Sequence, residues 1–223
     1  MPPTTTQLLK LALPLIPQYG FTRTALSRSI LQLPPADNSG RPHTEPLSDL
    51  AVSALFGNGD NARKMLINAW LDAGIENMSH NIPGKVSVAD ALHTRLAYNE
   101  SILAHLPEAF ALLSVPEARW SVIPPLDPLP ALKHSARIAD EACYLSDDSS
   151  TRLSWYAQRA TLMGVYGAAE LHQLTSPSSA HAFLDELLSG AKHIESYISE
   201  VGQFSDYVLR SWVGIARSRG IIS

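Results

Sequence analysis

Eight histidines and one cysteine are the residues of this chain with the most chemistry to offer, and their spacing decides what they could do. A metal centre needs ligands brought to one point by helical or hairpin spacing. His80, His93 and His105 do not share a helical face at ligand spacing, His172 and His181 fall on either side of a turn, and His193 sits on a polar face. There is no HExxH, no ExxH pair of the di-iron type and no paired cysteine. Cys143, in ADEACYL, reads as a small buried hydrophobe, and a lone cysteine rules out an intramolecular disulfide, which suits a reducing compartment. A GxSxG elbow, a GxxxxGK[ST] loop and a GxGxxG turn are all absent. GNGDNARK (57–64) is glycine-rich before a helix, but with no strand ahead of it the reading is a turn with an aspartate cap. The residues therefore offer no catalytic set and no metal site. A non-enzymatic protein without a cofactor is the expectation.

Recognition chemistry is better represented. The stretch LSWYAQRATLMGVYGAAELH (153–172) opens on two adjacent aromatics, Trp155 and Tyr156, with Arg159 one turn on. Exposed aromatics beside an arginine are typical anchors of protein interfaces. The same stretch holds Gly164 and Gly167, each of which costs a helix interior roughly 1 kcal/mol against alanine. Its middle is apolar nearly all round, so the helix is expected to be central and buried. Ala160, Gly164 and Ala168 form a small-residue ridge that would allow close helix packing or leave room for a ligand.

The elements that must position these residues read as helices almost throughout. Leu8, Leu11 and Leu15 fall at helical spacing before Tyr19-Gly20. Thr22 is placed to cap a helix with Ala25, Leu26, Ile30 and Leu33 inward. Residues 34–46 read as a linker, LSDLAVSALFG (47–57) as a short helix, and Ala62, Leu66, Ala69, Trp70 and Ala73 as one face of the next. Ser87 caps a stripe of Val88, Leu92, Leu96, Asn99, Leu103 and Leu106. Five prolines mark an irregular connection in VPEARWSVIPPLDPLP. A helix follows it, then the central helix, then one with Phe183, Leu184, Leu187, Ala191, Ile194 and Ile198 inward. No segment alternates with the period of a strand. The fold class is all-α, with about ten helices. The expected domains are a head and connecting helix at 1–80, a helical ligand-binding domain at 81–200, and an amphipathic helix at 201–223.

Bulk properties exclude several partners. The net charge of −4 argues against a dedicated nucleic-acid binder. No apolar run approaches the ~20 residues that cross a bilayer. The C-terminal segment differs from the rest of the chain. Phe204, Val208, Trp212 and Ile215 form an apolar stripe, while Arg210, Arg217 and Arg219 outnumber Asp206, a pattern suited to an anionic membrane interface.

Two resemblances bear on function. LLKLALPLIPQYGFTRTAL is similar to the first helices of TetR-family regulators, but the next element, LSDLAVSALFG, holds an aspartate and no arginine or lysine where that family carries a basic recognition helix. From Val86 to Leu188 the chain resembles the mitochondrial coenzyme Q (ubiquinone) biosynthesis accessory family. The carrying residues are VSVADALHTRLAYNESILAHLPEAFALL and LPALKHSARIADEACYLSDDSSTRLSWYAQRATLMGVYGAAEL, with Trp155-Tyr156, Arg159-Ala160, Tyr166 and Glu170-Leu171 the most specific part.

That resemblance implies a TetR-like fold with a degenerate helix-turn-helix head and a helical domain that binds isoprenoid lipid or a quinone precursor. It also implies peripheral attachment to the matrix face of the mitochondrial inner membrane, with the transit peptide absent from this chain. The partner it implies is the di-iron demethoxyubiquinone hydroxylase, met by Trp155, Tyr156 and Arg159 and by the acidic pair Asp140 and Glu141. Gln158 stands where the family often has a second arginine. On this reading Leu96, Leu103, Phe110, Ile138, Cys143, Met163 and Tyr166 line an elongated apolar pocket. The membrane contact falls to Phe204, Val208, Trp212 and Ile215. A homodimer or higher homo-oligomer built partly on the last two long helices is also expected. The alternative is a TetR-type ligand-responsive DNA-binding repressor.

Overall fold

The structure is a computed structural model that describes residues 4–34, 43–80, 86–115, 127–146 and 152–194. Every regular element among these residues is helical, and no strand occurs among them, so the all-α expectation holds. The chain divides into two compact units, residues 1–73 with 104–112, and residues 74–103 with 113–223.

The first unit opens with α1 (Thr5–Ala12), whose first turn is capped by the Thr4 side chain. A 3-10 turn (Leu13–Leu15) and the short α2 (Ile16–Tyr19) follow. Pro14 and Pro17 lack the amide donors that a continuous α-helix needs, so the register breaks between them. As a result Leu8, Ala12 and Ile16 form the buried row, while Leu11 and Leu15, expected inward, are only half-buried. Gly20 closes α2 at φ 64°, and a Cβ there would stand 3.0 Å from Nδ1 of His105. α3 (Arg23–Arg28) begins at the expected cap, the Thr22 hydroxyl accepting from the amide of Ala25.

After the connection, Leu47 is tied to Ser27 by its amide and by the Ser27 hydroxyl, which sets the entry to α4 (Asp49–Phe56). Arg23 holds α4 in place, donating to Oδ1 of Asp49 at 2.7 Å and to Oγ of Ser53 at 2.7 Å. Gly57 and Gly59 adopt positive φ in the turn before α5 (Asp60–His80). Ala62, Leu66 and Trp70 of α5 are buried as the pattern required, with Phe21 packed edge-on against Trp70. α7 (Leu106–Leu113) joins this unit through Arg63, which bonds Glu108 and the carbonyl of Phe21.

The second unit takes the end of α5, then α6 (Val88–Tyr98), a 3-10 turn (Glu100–Ile102), α8 (Leu129–Leu145), α9 (Arg152–Thr175) and α10 (Ala180–Ile194). Ser87 caps α6 as expected, accepting from the amide of Asp90 at 3.1 Å. Its core joins Met78, Leu92, Leu96, Ile138, Ala142, Cys143, Leu162, Tyr166 and Leu184 into one apolar cluster. α9 is buried at Leu162 and from Val165 to Leu171, while Tyr156 and Ala157 near its start are exposed, Tyr156 at 70%. The small-residue ridge is correspondingly uneven: Ala160 is exposed, Gly164 half-buried and Ala168 buried. Close packing explains Gly167, where a Cβ would stand 3.2 Å from Oγ of Ser135 on α8.

Candidate functional site

The first turns of α9 and the outer face of α8 build one composite surface. Arg159 lies one turn after Trp155, so helical spacing brings its guanidinium over the indole, 3.7 Å from the ring centroid. Its Nε donates to Oδ1 of Asp140 on α8 at 2.7 Å. Tyr156 packs edge-on to Trp155, ring centres 4.6 Å apart, and stays exposed. Four of the five residues expected at a partner surface are thus joined, with the fifth, Glu141, half-buried on α8 beside Asp140. The arginine is held from both sides, so its side chain is largely ordered before any partner arrives.

Of the seven residues expected to line an apolar pocket, Leu96, Ile138, Cys143 and Tyr166 meet in the buried cluster of the second unit, and Met163 packs against it. Leu103 is half-buried after the 3-10 turn. Phe110 is buried on α7 in the first unit. Phe204, Val208, Trp212 and Ile215, the expected membrane contacts, lie outside the described residues.

Beside the apolar cluster runs a polar node that periodicity did not reveal. Arg95, Asn99, His134, Glu170 and Gln173 are all buried. Nη1 of Arg95 donates to Oδ1 of Asn99 at 2.5 Å. Nδ2 of Asn99 donates to Oε1 of Glu170 at 3.0 Å and to Oε1 of Gln173 at 3.1 Å. The Tyr166 hydroxyl donates to the same Glu170 oxygen at 2.9 Å, and Nε2 of Gln173 donates to the Leu96 carbonyl at 2.9 Å. Nε2 of His134 stands 3.3 Å from Nη2 of Arg95 and 3.5 Å from Oε1 of Glu170, between the two charges.

The electrostatics follow from this arrangement. Burial lowers the His134 pKa, against the pull of Glu170. Burial alone would raise the Glu170 carboxyl, but His134, Arg95 and the Asn99 amide outweigh it and hold it at about 2. Burial pushes the Tyr166 phenol well above its ordinary value, against the pull of Arg95. The node thus sets the buried Arg95 guanidinium and the His134 imidazole around the buried Glu170 carboxylate, with Asn99, Gln173 and Tyr166 supplying neutral donors and acceptors. It offers no nucleophile–base pair, and no group of three or more His, Cys, Asp or Glu among the described residues could hold a metal ion.

Gly74 on α5 makes room for this node. A Cβ there would lie 2.9 Å from Cζ and 3.0 Å from Nε of Arg95, and 3.1 Å from Cδ1 of Tyr98. The guanidinium is pinned by Asn99 and cannot withdraw. Gly74→Ala gains about 1 kcal/mol of helix propensity but overpacks a site where such insertions cost about 1–3 kcal/mol. Because the guanidinium is pinned, the upper end of that cost applies, and a net loss of roughly 2 kcal/mol in urea unfolding is expected. A neutral or stabilising result would mean that Arg95 moves freely.

Two signals could have exposed the node. Arg95 and Asn99 lie four apart on α6, and Glu170 interrupts an otherwise apolar run of α9.

The last three helices described carry the comparison with known proteins. A family model matches residues 129–195, the span of α8, α9 and α10. The matched family is COQ9. Curated COQ9 relatives extend the similarity. The Schizosaccharomyces pombe ubiquinone biosynthesis protein coq9, mitochondrial, is 29% identical over 138 residues, covering 60% of this chain and 52% of that protein. The Xenopus laevis protein COQ9-A is 23% identical and the Bos taurus protein COQ9 24% identical, each over 228 residues, 94% of this chain and 64% of theirs. Both are likewise named ubiquinone biosynthesis proteins and mitochondrial. The chain therefore spans between half and two thirds of the length of these relatives. The resemblance drawn from the sequence to a coenzyme Q biosynthesis accessory family holds. Among the described residues no helix is long and apolar enough to cross a membrane.

Proposed function

We propose that this chain is a non-enzymatic lipid-binding accessory protein of ubiquinone biosynthesis. It binds isoprenoid quinone precursors in its second unit and presents them to the di-iron demethoxyubiquinone hydroxylase. The observation that carries the reading is the Asp140–Arg159–Trp155–Tyr156 surface, which lies within the span matched by the COQ9 family model. An aromatic pair with a pre-ordered arginine is the composition of an interface hot spot. The apolar cluster around Leu96, Ile138, Cys143, Met163 and Tyr166 supplies the chemistry that would hold a prenyl chain. The protein works as a homo-oligomer with a TetR-like head. It attaches peripherally to the matrix face of the inner membrane through Phe204, Val208, Trp212 and Ile215.

Organic extraction of the purified protein followed by mass spectrometry tests the ligand. Co-purified isoprenoid or quinone supports the reading, and a clean extract counts against it. For the partner surface, Trp155→Lys should weaken capture of the hydroxylase at least thirty-fold, since a central anchor is worth about 2 kcal/mol or more. Tyr156→Ala removes a ring that is 70% exposed, so it tests the surface with little loss of buried packing. Undiminished capture by folded Tyr156→Ala and Trp155→Lys proteins would place the partner elsewhere.

A further inference from the structure

His93 on α6 and His181 in the first turn of α10 lie 88 residues apart in sequence, and their Nδ1 atoms are 2.8 Å apart. The rings are 14° from parallel with centres 5.1 Å apart. The separation of centres exceeds that of the nitrogens by the two ring radii, so both nitrogens lie on the line between the rings. The imidazoles meet edge to edge in nearly one plane, not face to face. The outer nitrogens are also engaged: Nε2 of His93 is 2.8 Å from Oδ1 of Asp185, and Nε2 of His181 is 3.1 Å from Oε1 of Glu100. The result is a four-group chain, Asp185–His93–His181–Glu100, joining α10, α6 and the 3-10 turn.

Counting protons fixes its state. Carboxylates accept, so both Nε2 atoms carry hydrogen and donate. At 2.8 Å two facing lone pairs repel and two facing N–H groups clash, so the central contact holds one hydrogen. A pair that satisfied all three contacts at once would hold three protons on its four nitrogens, one more than two neutral imidazoles.

We infer that His93 and His181 form a proton-sharing clasp that fastens the start of α10 to α6 only while the pair holds one extra proton. A fourth proton sets N–H against N–H; removal of the central one sets lone pair against lone pair. Either change opens the contact. The charged groups that face the pair are Asp185 from α10 and Glu100 from the 3-10 turn. Asp90 lies one turn earlier on α6 and is engaged by the Ser87 hydroxyl. Arg95 is two residues on and points to the opposite side of α6, where His134 of α8 and Glu170 of α9 complete the buried node. From α9, His172 is turned to the Ser179 hydroxyl and stacks on Phe183. All four members of the chain remain partly exposed, so solvent protons reach them.

Nitrogen-resolved NMR of the full chain tests the proton count. With the clasp closed, at the pH of greatest protection, the two rings should show three N–H groups and a scalar coupling between the two Nδ1 nuclei. Two neutral imidazoles with no coupling would overturn the inference. Hydrogen exchange of residues 180–191, corrected for intrinsic rates, tests the clasp. Protection should peak at intermediate pH and fall roughly ten-fold on either side, the scale of one charge-assisted hydrogen bond. In His181→Gln the profile should flatten with the buried core unaffected. If that variant does not fold, Asp185→Asn, which keeps both rings but weakens the hold on Nε2–H, should displace the peak. A flat wild-type profile, or one unchanged in the folded variant, would overturn the clasp.

Discussion

Replacing Arg95 with alanine will cost roughly 3–5 kcal/mol of folding stability, because removing one partner of a buried ion pair strands the other charge in a dry interior. Glu170 is only 3% exposed and cannot reach water to recover its solvation. Asn99 would lose its bond from Nη1 of Arg95, and it is the residue that bridges to Glu170 and Gln173. The double substitution Arg95→Met with Glu170→Gln removes both charges, yet keeps an oxygen to accept from Asn99 and Tyr166. It should be less destabilised than Arg95→Ala alone, since buried pairs replaced together are often close to neutral. Urea unfolding of the three proteins measures this. A cost below about 1 kcal/mol for Arg95→Ala would mean that water enters the node.

Acid will unfold the protein in two stages. The His134 imidazole is held below its ordinary 6.5 by burial, so the unfolded chain binds the proton more readily and stability falls as pH drops through 6.5. The Glu170 carboxyl is held at about 2, below its ordinary 4.5. A depressed carboxyl contributes stability above the unfolded value, and that contribution is lost as pH falls from about 4.5 towards 2. At about 1.4 kcal/mol per pH unit the second stage amounts to about 3 kcal/mol. Urea midpoints from pH 8 down to 2 should show both limbs, and Glu170→Gln should erase the lower one. A lower limb that survives in Glu170→Gln would assign it to other carboxylates.

Helix type and capping were legible in the sequence because they depend on neighbours within a turn. Thr22 and Ser87 cap where their side chains predict, and Leu66, Trp70, Leu92 and Leu96 are buried where the period placed them. The exposed start and buried middle of α9 were legible too, since polar residues flank Trp155 and Tyr156 and the apolar residues close all round only further along. The aromatic surface was legible for a related reason: Trp155 and Arg159 share one helix. The polar node and the paired histidines were not. Asn99 meets Glu170 across 71 residues and His93 meets His181 across 88, and no local pattern encodes such meetings. Asn99 was counted into an apolar stripe and was indeed inward, but its role is polar. His93 and His181 were set aside because neither had a ligand within its own helix.

The lone cysteine has a use beyond packing. Cys143 lies in the cluster where α8 meets α9, at 1% exposure, and no second thiol competes with it. A thiol reagent can modify this protein only when those two helices part. The rate of modification therefore measures a local opening equilibrium in the unaltered chain, with no engineered label. A ligand that fills the apolar core slows that rate in proportion to its occupancy, whatever its spectrum and however poorly it dissolves. For a protein read as a carrier of water-insoluble prenyl chains, the sulfur atom provides a titration read entirely from the protein side.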